Sequence, residues 1–260
     1  MSRTLRLSLR LACVFLMLSR VAAADAPGGG RYEDAYAELL LGYTEAVDAE
    51  VGTRVDYRGL AKEPRWPVMV AELARVNPSG LATREEQLAF WINAYNILVI
   101  DLVIRHYPLE SIRDIGSFFW PVWKREAGRI GGKGYSLDEI EHEILRPMKD
   151  PRIHGAIVCA AISCPNLARS PYRADLLDAQ LDASLRGWLA RPEKGFFANR
   201  PEKKIRLSRI FKWFSEDFGG QQGVLVFIAP YLTESQRDWL TRISEEVDVS
   251  YFDYDWRLND

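Results

Sequence analysis

The sequence predicts a single α+β domain that is mostly helical and carries a small antiparallel sheet. Of the 260 residues, 48% are hydrophobic and 27% are charged, which is the composition of an ordinary globular domain. Apolar residues recur at helical spacing over several long stretches, whereas the strand-like stretches are short. No internal repeat, low-complexity tract or linker divides the chain, so we expect one domain over residues 31–260.

The N-terminal segment differs from this domain in composition. Three arginines precede the apolar run Leu11–Leu18, and small residues follow it up to Ala24. This order is typical of a secretory signal peptide, so we predict a signal peptide at 1–24 and a flexible lead-in at 25–30. A retained anchor is the alternative, which the small residues before the expected cleavage point disfavour. The apolar run is shorter than the ~20 residues of a membrane-spanning helix, so we expect no membrane span after cleavage and a periplasmic or secreted protein.

Charge and motifs exclude several classes of function. The formal net charge is -2, and cleavage after residue 24 would remove four arginines and no acidic residue, which leaves -6. We therefore expect no nucleic-acid partner, because phosphate binding requires a basic surface. The sequence contains no phosphate-binding loop, dinucleotide fingerprint or serine elbow. Cys159 and Cys164 would be the two cysteines that remain, in a compartment where disulfides persist.

Five helical patterns follow one another along the domain. The longest begins at Thr83, where Thr83 and Glu86 have the spacing of a capping box, and it ends at Tyr107-Pro108. Its apolar residues cover more than one face, so we expect a central helix that packs on several sides. The other predicted helices are 32–47, 68–76, 174–189 and 235–243.

The strand-like stretches are short and lie apart from one another. Gly128–Tyr135 predicts a turn-rich strand or hairpin, after which Ser136 and Glu139 form a second capping box and begin a short helix to about Arg146. The largely apolar run Ile153–Ala160 contains β-branched residues and predicts a buried strand. Two further stretches, 205–207 and 224–228, are strand-like or short helical pieces, and 249–256 has strand propensity.

Several motifs carry a resemblance to a known family. They are Phe90-Trp-Ile-Asn-Ala-Tyr-Asn96, Ser136-Leu-Asp-Glu-Ile-Glu-His142 leading to Leu145-Arg146, Asp150-Pro-Arg-Ile-His154, Cys159-Ala-Ala-Ile-Ser-Cys164-Pro165, Phe211-Lys-Trp-Phe214 with Asp217-Phe218, and Asp253-Tyr-Asp-Trp256. With these motifs the chain resembles the DUF547 family over almost the whole length expected for the mature protein. The resemblance implies no particular reaction. It marks as site candidates Asn93, Asn96, Glu141, His142, His154, Cys159, Cys164 and Pro165.

The segment from Glu141 to Pro165 concentrates the residues with catalytic potential. A thiol attacks as its thiolate, and a neighbouring imidazole favours that form. We therefore hypothesise that Cys159 is a nucleophile, His142 its base, and Glu141 or Asn96 the group that orients the imidazole. Such a site would perform acyl transfer or hydrolysis on an amide or thioester, in a papain- or transglutaminase-like fold. The substrate would be a small molecule, a peptide or an envelope component.

The other candidate residues leave alternatives open. If 153–160 is a regular strand, His154 and Cys159 point to opposite faces, and His154 then serves the fold. Asn93 and Asn96 lie three residues apart on the long helix and are either structural clamps or part of the site.

The two cysteines also have more than one possible role. They could form a reactive or redox-active pair, a structural disulfide or, with the weakest support, part of a zinc site with the two histidines. The spacing of these four residues matches no short zinc signature, and we predict neither a metal nor a cofactor.

The rival hypothesis is a non-catalytic envelope-interaction module with a structural Cys159–Cys164 disulfide. In that case an aromatic loop containing Phe118, Phe119, Trp120 and Trp123 would contact a partner, although clustered aromatic residues more often belong to a core. A buried disulfide with no cleft beside it would favour this module.

Overall fold

A computed structural model describes residues 30–117 and 119–260 of the chain. The predicted signal peptide, the lead-in up to residue 29, and Phe118 of the aromatic loop lie outside the described residues. Within the described part, helices predominate and the strands form three small sheets. The predicted α+β class, mostly helical with little sheet, is confirmed.

The helices follow the predicted order, with small shifts at their ends. Those described are α1 (Gly30–Tyr43), α2 (Tyr57–Leu60), α3 (Arg65–Leu73), α4 (Arg84–His106), α5 (Leu177–Leu189), α6 (Ile210–Trp213), α7 (Gly220–Ile228) and α8 (Glu234–Ile243). The first helix ends at Tyr43 rather than at residue 47, because residues 44–46 leave it to pair as a strand. The stretch 224–228 is helical and belongs to α7.

Helix α4 is the centre of the fold, as its sequence predicts. The Thr83 hydroxyl accepts from the Glu86 amide at 3.1 Å, and the Glu86 carboxylate accepts from the Thr83 amide at 3.0 Å, which completes the capping box. By length and composition α4 alone among the described helices could cross a membrane, yet 83% of its apolar window is buried inside the protein. Such burial is typical of a core helix that packs on several sides.

The three sheets are small and lie around the helical core. Their strands are β1 (Thr44–Ala46), β2 (Thr53–Val55), β3 (Glu126–Ile130), β4 (Lys133–Ser136), β5 (Phe196–Asn199), β6 (Lys204–Leu207) and β7 (Asp248–Tyr251). The β3–β4 pair is the predicted hairpin, and Gly131 and Gly132 supply the positive φ angles of its turn, at 57° and 82°. Antiparallel pairing was expected throughout, but β6 pairs with β7 in parallel. The predicted strand at 249–256 ends at Tyr251.

The predicted strand at 153–160 is wrong. Residues Pro151–Gly155 form a 3₁₀ helix, because the Asp150 carboxylate caps it and Pro151 supplies a helical φ at its first position. Beyond this helix the backbone is irregular as far as residue 160, with no partner strand among the described residues. The Asn96 side chain instead binds the backbone there, accepting from the Val158 amide and donating to the Ala156 carbonyl.

The short helix after the hairpin begins where the second capping box predicts. The Glu139 amide donates to the Ser136 hydroxyl at 3.0 Å, and the Ser136 amide donates to the Glu139 carboxylate at 2.7 Å. From Glu139 to Leu145 the chain is π-helical. Segments of this kind are rare and occur frequently at functional sites.

Candidate functional site

A pocket of about 210 Å³ lies between α4, the π-helical segment, the loop that carries the cysteines and the C-terminal segment. One part of its wall is polar or sulfur-containing, formed by Tyr95, Glu141, His142, His154, Cys159 and Cys164. Another part is aromatic, formed by Trp123, Trp213, Phe214, Tyr254 and Trp256. Trp213, Tyr254 and Trp256 are in mutual contact, and Trp213 stacks on Trp256.

The structure brings together most, but not all, of the residues singled out in the sequence. The candidates that line the pocket are Glu141, His142, His154, Cys159 and Cys164. Asn93 and Asn96 are buried residues of α4 and do not line the pocket. The clustering therefore confirms a shared location for five candidates, while their roles stay predictions.

Cys159 and Cys164 form a disulfide whose Cα atoms are 6.2 Å apart. The hydroxyl of Tyr254 lies 3.1 Å from the Cys159 sulfur and 3.2 Å from the Cys164 sulfur. Cys164 is only 2% exposed, whereas Cys159 is half-buried, so the Cys159 sulfur is the more accessible of the two. The disulfide is thus part of a pocket wall.

Glu141 and Asp138 are the two carboxyl groups that line this pocket. Burial raises the pKa of Glu141 to about 7, although a hydrogen bond from Tyr95 and the charge of Arg146 oppose the shift. The Tyr95 hydroxyl donates to Glu141 Oε2 at 3.2 Å. A carboxyl with this pKa is present both protonated and ionised near neutral pH, so it can accept and return a proton.

His154 is buried against Asp217 and an aromatic ring. Its Nε2 lies 2.7 Å from Asp217 Oδ2, and its ring stacks on Phe214 with a centroid separation of 4.2 Å. Burial lowers its pKa to about 4 despite the opposing effect of Asp217, so the imidazole is neutral at neutral pH. The predicted strand would have turned His154 away from Cys159. Because no strand forms, both residues line the same pocket, which corrects that expectation.

A chain of charged groups links the two histidines. Arg146 holds Asp217 through two hydrogen bonds of 2.7 Å, and its Nη1 lies 2.8 Å from His142 Nδ1. Because a guanidinium only donates, this imidazole nitrogen is an acceptor. The other ring nitrogen is 3.7 Å from Asp138. His142 is exposed, and the contacts seen in the described part of the chain join it to Arg146, Asp138 and the Phe214 ring rather than to Cys159.

The two asparagines are backbone clamps. The Asn93 amide donates to the Tyr172 carbonyl and accepts from the Tyr172 amide, both at 2.8 Å. Asn96 does the same for the segment that leads to Cys159, donating to Ala156 at 3.0 Å and accepting from Val158 at 2.9 Å. Asn96 therefore positions the cysteine loop through the backbone.

The comparison with known families matches part of the chain. The family model DUF547, described as a protein of unknown function, matches residues 78–189. This match confirms the resemblance to DUF547 over residues 78–189. No curated protein and no solved structure matches the chain. The papain- or transglutaminase-like fold therefore stays a prediction.

The DUF547 match contains every site candidate predicted from the sequence, but not every residue of the pocket. The pocket residue Tyr254 comes from beyond residue 189, as does Asp217, which binds the pocket residue His154. Sequence reasoning assigned no role to Asp217, Arg146, Tyr254 or Tyr95. A signal was available, because all four residues occur in the motifs that carry the DUF547 resemblance.

Metal binding finds no support in the geometry of the described residues. Over residues 30–117 and 119–260, no group of three or more histidine, cysteine, aspartate or glutamate side chains is placed to hold a metal ion. The zinc alternative also required both cysteines as ligands, and their sulfurs are bonded to each other.

Proposed function

We propose that the pocket is the active site of a thiol-dependent acyl-transfer enzyme or hydrolase that acts on amides or thioesters. The observation that carries this proposal is the position of both sulfurs in the wall of an aromatic pocket, beside a carboxyl whose pKa is about 7. A disulfide that served stability alone would need neither the cleft nor the ionisable group.

Cys159 is the nucleophile in this proposal, because it is the more accessible sulfur. The Tyr254 hydroxyl, whose pKa burial and Glu141 raise, remains a donor and stabilises the thiolate at the sulfur it contacts. Glu141 accepts and returns the proton. The geometry favours Glu141 over His142 for this role, because His142 Nδ1 is already bound to Arg146.

The reaction requires the dithiol form of the pair. An external dithiol first reduces the disulfide and is itself oxidised to a disulfide. The Cys159 thiolate then attacks the substrate carbonyl, a carbon–sulfur bond forms, and the leaving amine or thiol takes a proton from Glu141. Water next attacks the thioacyl group, Glu141 takes its proton, and the thiolate leaves. Transfer to an amine follows the same steps with the amine in place of water.

The shape of the pocket indicates how the substrate binds. Trp213 is 47% exposed and stacks with Trp256, which itself contacts Trp123. A flat or apolar acyl group, such as part of a small molecule, peptide or envelope component, would pack against this aromatic wall.

We further propose that the protein acts in the periplasm or outside the cell, without a membrane span after cleavage of residues 1–24. The support is the charged, apolar and small-residue order of that segment, together with a disulfide of the kind that persists in oxidising compartments. A protein that stays in the cytoplasmic or membrane fraction with residues 1–24 uncleaved would contradict this.

The test of the active site is alkylation followed by activity. The purified chain is treated with iodoacetamide before and after dithiothreitol, and peptide mapping assigns the label to each cysteine. The reduced protein is then assayed with thioesters and peptide amides that bear aromatic or aliphatic acyl groups. We expect Cys159 to label first, and Cys159→Ala to abolish turnover.

Glu141→Gln and Glu143→Gln provide a matched pair for the proposed proton transfer. Both residues lie on the π-helical segment, but Glu143 is exposed and does not line the pocket. Loss of a general acid–base typically costs about 10²- to 10⁴-fold in rate, which we expect for Glu141→Gln and not for Glu143→Gln. Retained turnover in Cys159→Ala would refute the thiol mechanism.

A second candidate, the non-catalytic interaction module, is favoured by one observation. Phe119 and Trp120 are 88% and 59% exposed, which is unusual for large apolar side chains and suits contact with a partner. If the pair stays unreactive after mild reduction and no substrate turns over, the disulfide is structural and this candidate replaces the first.

A further inference from the structure

A second polar centre lies on the other side of the cysteine loop. Lys194, in the turn between α5 and β5, is only 1% exposed. Its ammonium donates to three backbone carbonyls, at 2.8 Å to Val51, 3.1 Å to Ile162 and 2.6 Å to Cys164. Buried lysines are rare unless they are paired, so this position calls for an explanation.

Two of the three acceptors belong to the loop that the disulfide closes. Ile162 lies between the two cysteines, and the shortest bond is made to Cys164 itself. The third acceptor, Val51, belongs to the turn between β1 and β2. An ammonium has three N–H donors and a neutral amine has two, so the full set of bonds requires the charged form.

Charged neighbours shift the pKa of this ammonium in opposite senses. Glu50 and Glu193 favour its protonation, and Arg191 opposes it. Burial is the largest influence and lowers the pKa of Lys194 to about 7. Deprotonation therefore removes one hydrogen bond and one positive charge from the cysteine loop within an accessible pH range.

We propose that Lys194 is a positioning residue for the cysteine pair. The buried Lys194 ammonium holds the cysteine loop through the Cys164 carbonyl and stabilises the thiolate that forms in this loop on reduction. This inference rests on the proposed thiol function. When dithiothreitol reduces the pair, its two thiols lose two electrons and two protons, and Cys159 and Cys164 gain them. One of the new thiols then ionises, and a nearby positive charge favours its thiolate.

The experiment measures the equilibrium between disulfide and dithiol in mixtures of reduced and oxidised dithiothreitol, with alkylation and mass spectrometry as the readout. Lys194→Met removes the charge and the donors, Lys194→Gln keeps neutral donors, and Lys194→Arg keeps the charge. Lys62→Met is the control, because Lys62 is exposed and far from this loop in sequence. At pH 6.5 we expect the ratio of dithiol to disulfide to fall on the order of tenfold in Lys194→Met and Lys194→Gln. In Lys194→Arg this ratio should stay near that of the wild type.

A second readout separates this role from a general effect on folding. The pH profile of alkylation of the reduced protein should shift to higher pH in Lys194→Met and Lys194→Gln but not in Lys194→Arg. If Lys194→Met does not fold, Lys194→Gln and Lys194→Arg decide the question. Unchanged redox equilibrium and unchanged alkylation profile in folded Lys194→Gln would overturn the inference.

The outcomes distinguish this inference from the proposed function. A pair that responds to Lys194 but turns over no acyl substrate would contradict the enzyme and leave the inference standing. An active enzyme whose redox equilibrium and alkylation profile do not respond to substitution of Lys194 would contradict the inference and leave the proposed function standing. A pair that cannot be reduced in the folded protein would contradict both.

Discussion

Asn96 and Glu141 are both polar side chains held largely away from water, but their surroundings differ. The buried Asn96 amide is matched at its donor and its acceptor by backbone groups. Glu141 receives one hydrogen bond from Tyr95, faces a cavity, and has its pKa raised to about 7. A polar group whose bonds are all made within the fold is structural, whereas one left with spare capacity beside a cavity is available for chemistry.

The largest effect expected from this comparison is on stability. Asn96→Ala leaves the Ala156 carbonyl and the Val158 amide without partners, and two orphaned buried groups cost on the order of 3 kcal/mol in the free energy of unfolding. Urea denaturation measures this loss. Gln222→Ala is the control, because Gln222 is exposed on α7, and such a change stays within about 0.5 kcal/mol. A loss below about 1 kcal/mol for Asn96→Ala would mean that the segment holds its shape without the clamp.

The next effect is a pH dependence in which two pocket residues oppose each other. Glu141 has its folded pKa raised from 4.5 to about 7, so in this window the folded state binds the extra proton and stability falls as pH rises. His154 has its folded pKa lowered from 6.5 to about 4, so there the unfolded state binds the extra proton and stability rises with pH. Between pH 4.5 and 6.5 the two contributions offset each other in the wild type.

In Glu141→Gln, the pH dependence that His154 gives to the free energy of unfolding should become measurable. We expect the unfolding free energy of this variant to increase between pH 4 and 6.5 by about 2–3 kcal/mol more than that of the wild type. Urea titrations at half-unit pH steps measure the slope, with Glu143→Gln as the matched control that should follow the wild type. Parallel profiles for Glu141→Gln and the wild type would show that Glu141 is not buried as a proton-binding group.

The comparison also explains what the sequence could predict. Capping boxes at Thr83 and Ser136 and the hairpin with Gly131 depend on residues only a few positions apart, and all three are confirmed. The strand at 153–160 failed because its backbone bonds to Asn96, 62 residues from Val158, and no local pattern reports such a partner.

The candidate site also has one part that local sequence predicts and one part that it does not. Glu141 to Cys164 lie in one short segment, so a cluster could be predicted from their spacing. Asp217 binds His154 from 63 residues further along the chain, and Tyr254 contacts Cys159 from 95 residues further along, positions that only the tertiary fold determines. The pairing of histidines with their partners was therefore not predictable, and Arg146 rather than Cys159 contacts His142.

The smallest effect concerns the hydroxyl shared by the two sulfurs. Tyr254→Phe keeps the ring in its aromatic cluster but removes the group 3.1 Å and 3.2 Å from the sulfurs. We expect this hydroxyl to donate to the proposed thiolate in the reduced protein, so its loss should raise the thiol pKa and slow alkylation of Cys159 at pH 7 roughly three- to tenfold. Stopped-time alkylation with peptide mapping measures the rate. Tyr251→Phe is the control, because Tyr251 is also half-buried but does not line the pocket. Equal rates for the two variants would mean that Tyr254 only packs against the disulfide, and the stabilisation of the thiolate would then fall to other groups of the pocket.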